Sequence, residues 1–187
     1  MLSAAAALAS AQAASPEGAA TGEVSLSNDT LELRYRGDWN DSDIAGSRLN
    51  AAFLLSEQRD IVLSGALLFP ANLGGDRLQL RFGPQAYAAL LKDENDDVFA
   101  VSVGVNARLP LNNRNGLAIA GHAYYAPDIL TFGSADALTD LMARAEIRVA
   151  PRLTVFAGMR WFEFDLTDGQ GERTLQEEVF VGGGWQF

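Results

Sequence analysis

LQEEVFVGGGWQF, the stretch Leu175–Phe187, decides the fold of this chain. Its residues alternate between two sets in steps of two, which is the period of a β-strand. One face carries Val179, Val181, Gly183, Trp185 and Phe187, and the other carries Glu178, Phe180, Gly182, Gly184 and Gln186. Chain ends of soluble domains usually fray and are polar. This end is apolar and aromatic, which indicates that lipid lies beyond the Trp185 face.

The same alternation recurs along most of the chain, with turn-forming residues between the segments. Asn72–Asp76 and Asn112–Gly116 supply residues that tolerate positive φ. Eight strands are predicted, at about residues 48–55, 61–69, 77–82, 99–109, 117–125, 141–149, 153–162 and 175–187. An even number lets the first and last strands pair antiparallel. The pattern therefore predicts an all-β fold: a small closed antiparallel transmembrane β-barrel of about eight strands in meander order.

Composition excludes several classes of function. The formal net charge of −10 argues against nucleic acid as a partner, since phosphate recognition needs a basic face. The chain has no cysteine, so disulfides and cysteine-based metal sites are ruled out. Apolar residues make up 48% of the chain but are dispersed through alternating segments, so no apolar block of spanning-helix length occurs beyond the N-terminus.

The N-terminal region divides into three parts. Residues 1–13 are predicted to be a signal peptide, because Ala11-Gln12-Ala13 fits the A-x-A cleavage pattern. No Lys or Arg precedes the apolar run, so the leader's positively charged region is missing. Residues 14–23 are expected to be flexible, and residues 24–187 to form the outer-membrane barrel domain. Within that domain, 24–46 is strand-like, but a ninth strand would run parallel to the last, so its placement stays open.

The polar faces of the predicted strands form the candidate site. In a membrane barrel they point into the lumen, where Arg and Glu side chains pair. The predicted polar network of the lumen comprises Arg108, His122, Arg144, Glu146, Arg148, Arg160 and Glu178. Packed ion pairs suit the planar guanidinium of arginine, and the chain has thirteen arginines beside the single Lys92. A barrel of about eight strands leaves an interior that side chains fill.

A soluble periplasmic barrel is the alternative, with the same polar faces turned to water, because periodicity gives faces and not their surroundings. Three features favour lipid: the leader, the aromatic C-terminal residue, and aromatics near strand ends as interfacial girdles require. Those aromatics are Trp161, Phe162, Trp185, Tyr124 and Tyr125. With the C-terminus in the periplasm, 57–60, 92–97, 127–136 and 167–174 become outward loops, and 70–75, 112–115 and 150–151 become periplasmic turns.

No residue pattern predicts catalysis, a metal or a cofactor. His122 is the single histidine, and no nucleophile motif such as G-x-S-x-G accompanies it. One imidazole is too few for a transition-metal site. The acidic run Asp93–Asp97 lacks the glycine and ligand spacing of a calcium loop, so it is interpreted as solvated. The chain is therefore expected not to be an enzyme.

Several motifs resemble the YfaZ family of proteobacterial outer-membrane proteins. They are Tyr124–Asp128, Phe132–Asp136, Ala143–Glu146, Val155–Trp161 and Val181–Phe187. The resemblance spans most of the chain from Leu31 onward and is strongest from about Gly83. It implies a small β-barrel in the bacterial outer membrane, with outer-membrane lipid as its surroundings. Trp185 and the terminal Phe187 also resemble the signal that the barrel-assembly machinery recognises during biogenesis.

The family carries no activity over to this chain. The expected function is a structural or interaction role for a barrel with a polar, mostly packed lumen. The alternative is a narrow channel for small solutes or ions. A membrane enzyme acting on lipid is a further alternative, which would depend on His122.

Overall fold

The computed structural model describes residues 20–39, 44–71, 78–92, 96–112, 116–166 and 172–187. The predicted signal peptide at 1–13 lies outside these residues. The described part is built almost wholly from strands. They are β1 Thr21–Leu26, β2 Thr30–Asp38, β3 Arg48–Ser56, β4 Ile61–Ala71, β5 Gln79–Leu91, β6 Asp96–Asn112, β7 Leu117–Ala126, β8 Thr131–Gly133, β9 Ala135–Ala150, β10 Leu153–Leu166 and β11 Glu172–Gln186.

The sheet is a closed antiparallel barrel in meander order, as predicted. Neighbouring strands pair in sequence from β1 to β7, then through β9, β10 and β11, and β11 returns to β1. Ten strands therefore form the wall, and the prediction of about eight was wrong. The short β8 lies outside this sequence and pairs with the start of β6, with Phe132 opposite Phe99. It follows a single 3₁₀ turn, Asp128–Leu130, so the predicted loop 127–136 is partly ordered as a strand.

The two additional strands come from the N-terminal segment. β1 begins at Thr21, so the last residues of the stretch expected to be flexible are part of the wall. A turn at Ser27–Asp29 separates β1 from β2, and the backbone N–H of Ser27 donates to the carbonyl of Thr30. The segment is thus a hairpin and not one strand. Two strands preserve the even number that antiparallel closure requires.

The faces of the sheet are inverted relative to a soluble barrel. Large apolar side chains lie exposed on the outside, for example Val103, Val179 and Val181, of which Val179 is 66% exposed. The charged side chains Glu23, Arg144 and Arg160 are buried inside. Apolar outside and polar inside is the pattern of transmembrane barrels. Among the described residues, no helix is long and apolar enough to cross a membrane.

The aromatic residues divide between the two faces. Trp161, Trp185 and Tyr125 are exposed on the outer surface, as the girdle prediction requires. Tyr124 and Phe162 are buried in the interior, so their assignment to a girdle was wrong. The reason is that side chains alternate between the two faces along a strand. Tyr124 directly precedes the outward Tyr125, and Phe162 directly follows the outward Trp161.

The wall is uneven along the seam where the barrel closes. β1 has six residues whereas β11 has fifteen. Their register begins at Thr21 opposite Gln186 and ends at Leu26 opposite Val181. No described strand pairs with this edge of β11 from residue 172 to residue 180. We call the end holding the Ser27–Asp29 turn the loop end, and the end holding Ala150–Leu153 and the start of β1 the turn end.

Candidate functional site: the lumen

An apolar cluster fills the lumen at the loop end. Phe162 and Phe164 of β10 are fully buried there, with ring centroids 5.4 Å apart. Leu54 of β3 and Leu91 of β5 belong to the same cluster, so opposite walls of the barrel meet across the lumen. The complete loop-end cluster is Leu54, Val62, Tyr87, Ala89, Leu91, Val98, Ala100, Ala126, Ala135, Leu138, Phe162, Phe164 and Leu175. It closes this end of the barrel to water.

Below the loop-end cluster lies a polar group centred on Asp140 of β9, which is fully buried. Arg160 donates to both oxygens of the Asp140 carboxylate, each at 2.8 Å. The Tyr87 hydroxyl donates to Oδ2 at 2.8 Å, and Nε2 of His122 lies 3.1 Å from Oδ1. Arg160 also pairs with Glu32 of β2, which in turn pairs with Arg34. This Asp140 cluster ties five strands together across the lumen.

A second charged group, the Arg144 chain, continues toward the turn end. Arg144 of β9 donates to both oxygens of Glu23 in β1, at 2.9 and 3.0 Å, and to Glu146 at 3.1 Å. Glu23 also accepts from Arg36, and Glu146 accepts from Nε of Arg108, each at 2.5 Å. Three guanidinium groups thus share two carboxylates. Multiple charge-assisted hydrogen bonds of this kind are stronger than neutral ones.

The guanidinium group of Arg144 packs against an aromatic ring. Its guanidinium carbon lies 4.3 Å from the centroid of the Phe156 ring, which is the geometry of a cation–π contact. The ring has room to lie against the wall because position 182 is glycine. A Cβ at Gly182 would lie 2.4 Å from Cε2 of Phe156. The glycine-rich end of β11 therefore positions the central arginine of the chain.

At the turn end the lumen opens into a cavity of about 80 Å³. Its charged lining consists of guanidinium groups: Arg34, Arg36, Arg48, Arg81, Arg108 and Arg144. No Asp or Glu belongs to the part of this lining that the structure describes. Nε of Arg81 and Oδ1 of Asn50 are buried here without a hydrogen-bond partner. We call this space the turn-end cavity.

Five of the seven residues predicted for the lumen network lie in the two charged groups. His122 and Arg160 belong to the Asp140 cluster, and Arg108, Arg144 and Glu146 belong to the Arg144 chain. The other two lie elsewhere.

Arg148 is exposed near the turn end and has no ion pair among the described residues. Glu178 accepts a hydrogen bond from the backbone N–H of Asn28 at 2.9 Å. It therefore fastens the β1–β2 turn to β11 and takes no part in the arginine pairing.

Sequence reasoning found Glu146 but missed the other three carboxylates that hold the network, Glu23, Glu32 and Asp140. Glu23 and Glu32 lie in the N-terminal hairpin, whose turn was not recognised. Asp140 lies before the predicted start of its strand, although extending the alternation of Met142 and Arg144 back by one step would have placed it inside. Among the described residues, no three His, Cys, Asp or Glu side chains are arranged to hold a metal ion.

Comparison with known proteins places the chain in a family. The YfaZ precursor family model matches residues 1–187. The chain belongs to this family. The description as a precursor agrees with the expected leader, whereas its cleavage point stays a prediction. No protein with a curated description matches the YfaZ chain in sequence.

Three solved structures of porins are similar to this YfaZ protein at low identity. KdgM porin in complex with disordered oligogalacturonate is 8% identical with a TM-score of 0.49, covering 90% of this chain and 99% of that one. KdgM porin alone is 8% identical with a TM-score of 0.47, and the match covers 90% of this chain and 99% of that one. NanC porin in a rhombohedral crystal form is 10% identical with a TM-score of 0.43, and the match covers 91% of this chain and 98% of that one.

Proposed function

We propose that this YfaZ protein is an outer-membrane β-barrel of the channel type, which provides a narrow passage for small hydrophilic solutes. The observation that carries the proposal is the turn-end cavity, a polar space inside a closed barrel whose outer surface is apolar. A barrel that serves only as a membrane anchor can have its lumen filled by side chains throughout, and it has no need of an open, arginine-lined space. Outer-membrane lipid is its proposed environment, and the assembly role of Trp185 and Phe187 stays a prediction.

In the conformation described, the passage is closed at one end. The loop-end cluster blocks the lumen above the Asp140 cluster, with Phe162 and Phe164 fully buried. A continuous path requires displacement of these side chains. Apolar constrictions of this kind gate other pores by excluding water. The loop-end cluster is therefore the proposed gate, and the two charged groups are the proposed lining of the passage.

Single-channel recording in planar bilayers tests the proposal. A variant carrying Leu54→Ala and Phe164→Ala removes side-chain volume from the gate. We expect it to give larger or more frequent conductance steps than the wild type. The matched control carries Leu90→Ala and Phe132→Ala, which remove the same side-chain types from the outer surface. If wild type and gate variant are both silent while folded, the channel proposal is wrong.

A structural or interaction role is the second candidate, and one specific observation favours it. Described charged side chains in the middle of the lumen satisfy one another, as Asp140 does with Arg160, Tyr87 and His122. Such a filled interior stabilises a barrel without requiring transport. This candidate predicts that the gate variant loses stability but gains no conductance.

A further inference from the structure

We infer that the turn-end cavity is a binding site for a small oxyanion, of the phosphate or dicarboxylate class. The inference deepens the proposed function and rests on it for its biological meaning, because it names the solute class that the passage admits. Binding itself is a property of the closed barrel. It is measurable whether or not the loop end ever opens.

The charges around the cavity do not balance. In the Arg144 chain, Arg36, Arg108 and Arg144 share the carboxylates of Glu23 and Glu146, which leaves an excess of one positive charge. Arg48 is balanced by Asp38 at 3.0 Å. Arg81 has no ion pair among the described residues, so it adds a second positive charge. In a cleft lined by one sign of charge, such an excess attracts an anion.

Hydrogen-bond donors are available where the excess charge lies. Among the residues that the structure describes, Arg108 donates to Glu146 through Nε alone and is 33% exposed, so its two terminal amino groups can reach a ligand in the cavity. Nε of Arg81 is buried and has no partner. A buried donor without an acceptor costs free energy, about 1–3 kcal/mol for a neutral group and more for a charged one. An oxyanion in the cavity would relieve this cost by accepting from Arg81.

The guanidinium groups of the cavity also repel one another. Arg81 lines the same cavity as Arg48 and Arg108, so three guanidinium groups share one small space. Like charges held this close cost free energy unless a counter-ion lies between them. An anion with several oxygens can accept from two guanidinium groups at once. Each guanidinium can also give two parallel N–H···O bonds, the bidentate pairing that arginine favours for phosphate and carboxylate.

The size and the remaining polar atom restrict the ligand further. A cavity of about 80 Å³ that opens at the turn end suits a small anion and not a polymer. Oδ1 of Asn50 is a buried acceptor without a donor. Hydrogenphosphate carries both anionic oxygens and a hydroxyl, so it can accept from the arginines and donate to Asn50. Cations and neutral solutes lack the charge that the lining requires.

Isothermal titration calorimetry on the folded full-length chain in neutral detergent tests the site. The probes are inorganic phosphate, pyrophosphate and succinate, with choline chloride and glycerol as non-anionic solutes. We expect the three anions to bind and the other two to give no heat. Arg81→Gln and Arg108→Gln are each expected to weaken binding about tenfold, since a hydrogen bond to a charged group is lost.

The matched control is Arg152→Gln, which removes the same charge from an exposed position at the same end of the barrel. Its affinity should stay within about twofold of the wild type, since an exposed charge contributes little to a local site. The shift in gel mobility on boiling reports folding of every variant. If Arg108→Gln does not fold, Arg81→Gln decides alone, because Arg81 has no described ion pair to lose.

The inference is overturned if no anion binds, or if Arg152→Gln weakens binding as much as Arg81→Gln. These outcomes differ from failure of the channel proposal. Anion binding without conductance in the gate variant would support the anion site and contradict the channel proposal. Conductance without anion binding would support the channel proposal and contradict the anion site.

Discussion

The two ends of the lumen solve the same packing problem with opposite chemistry. At the loop end, apolar side chains from opposite walls pack together, as Phe162 and Tyr87 do with ring centroids 5.6 Å apart. At the turn end, arginines face one another across open space. The Asp140 cluster lies between them and touches both, because Tyr87 and its partner Asp140 join the apolar and charged regions. The comparison teaches that apolar packing is concentrated at one end of the lumen and unbalanced positive charge at the other.

The junction should be the most sensitive point. Asp140→Ala leaves Arg160 with a single carboxylate and removes the partner of Tyr87 and His122. Breaking a buried ion pair in this way costs about 3–5 kcal/mol. We expect a loss of that size in the free energy of unfolding, measured by denaturant titration in lipid vesicles. Asp128→Ala, at an exposed aspartate, is the control. An equal loss in both variants would contradict a junction role.

A cavity in the loop-end cluster should be the next largest defect. Leu54 is 2% exposed in that cluster, and truncation of a buried leucine to alanine costs about 2–5 kcal/mol. Leu54→Ala should reduce the free energy of unfolding by an amount in the lower half of that range. Leu90→Ala truncates an exposed leucine and should change it much less. Similar losses at both positions would mean that the loop end does not carry the packing energy assigned to it.

Adjacent glycines of β11 provide a finer test of the turn-end half. Gly182→Ala places a Cβ 2.4 Å from the Phe156 ring that supports Arg144 and 2.5 Å from the carbonyl oxygen of Val24 in β1. It should therefore displace the ring and strain the β1–β11 pairing, with an expected cost of about 1–3 kcal/mol. At Gly183, on the outer face, the nearest atom to an added Cβ is the carbonyl oxygen of Thr154 at 3.8 Å, an ordinary contact. Gly183→Ala should therefore be close to neutral. A larger loss of unfolding free energy in Gly183→Ala than in Gly182→Ala would contradict the role of Phe156 in supporting Arg144.

The smallest effect is expected at Arg148. Although it shares its face with Arg144, it is exposed and has no ion pair among the described residues. Arg148→Gln should change the free energy of unfolding by no more than about 0.5 kcal/mol. A loss above 1 kcal/mol would place Arg148 in the lumen network as the sequence predicted.

The sequence predicts the walls better than the lumen. Alternation alone places Leu153, Val155 and Met159 on the outer face, because the side-chain period of a strand is two. It also contains the signal for the N-terminal hairpin. Val24 and Leu26 are outward at even positions, whereas Leu33 and Tyr35 are outward at odd ones. Such a change of phase requires a turn, and Ser27-Asn28-Asp29 supplies the residues that turns favour.

The pairing within the lumen could not be predicted in the same way. Arg160 meets Glu32 because the barrel closes and brings β2 across from β10. That contact depends on strand number and on the stagger between strands, which a single sequence does not fix. The loop-end closure has the same origin, since Leu54 and Phe164 belong to strands far apart in sequence. The face on which a side chain lies is set locally by its strand, whereas its partners across the lumen are set by the closure of the whole sheet.

The short first strand has a mechanical consequence. Only six residues of β1 hold the seam against β11, while β10 pairs with β11 along nearly its whole length. β1 also pairs with β2 over six residues, so both of its ladders are the shortest in the wall, and β1 is the strand that thermal agitation or applied force should separate first. Backbone amides of β1 should therefore exchange with deuterium before those of β10. The barrel should then open at the β1–β11 seam, beginning at the loop end, and this seam should be the last to form during folding.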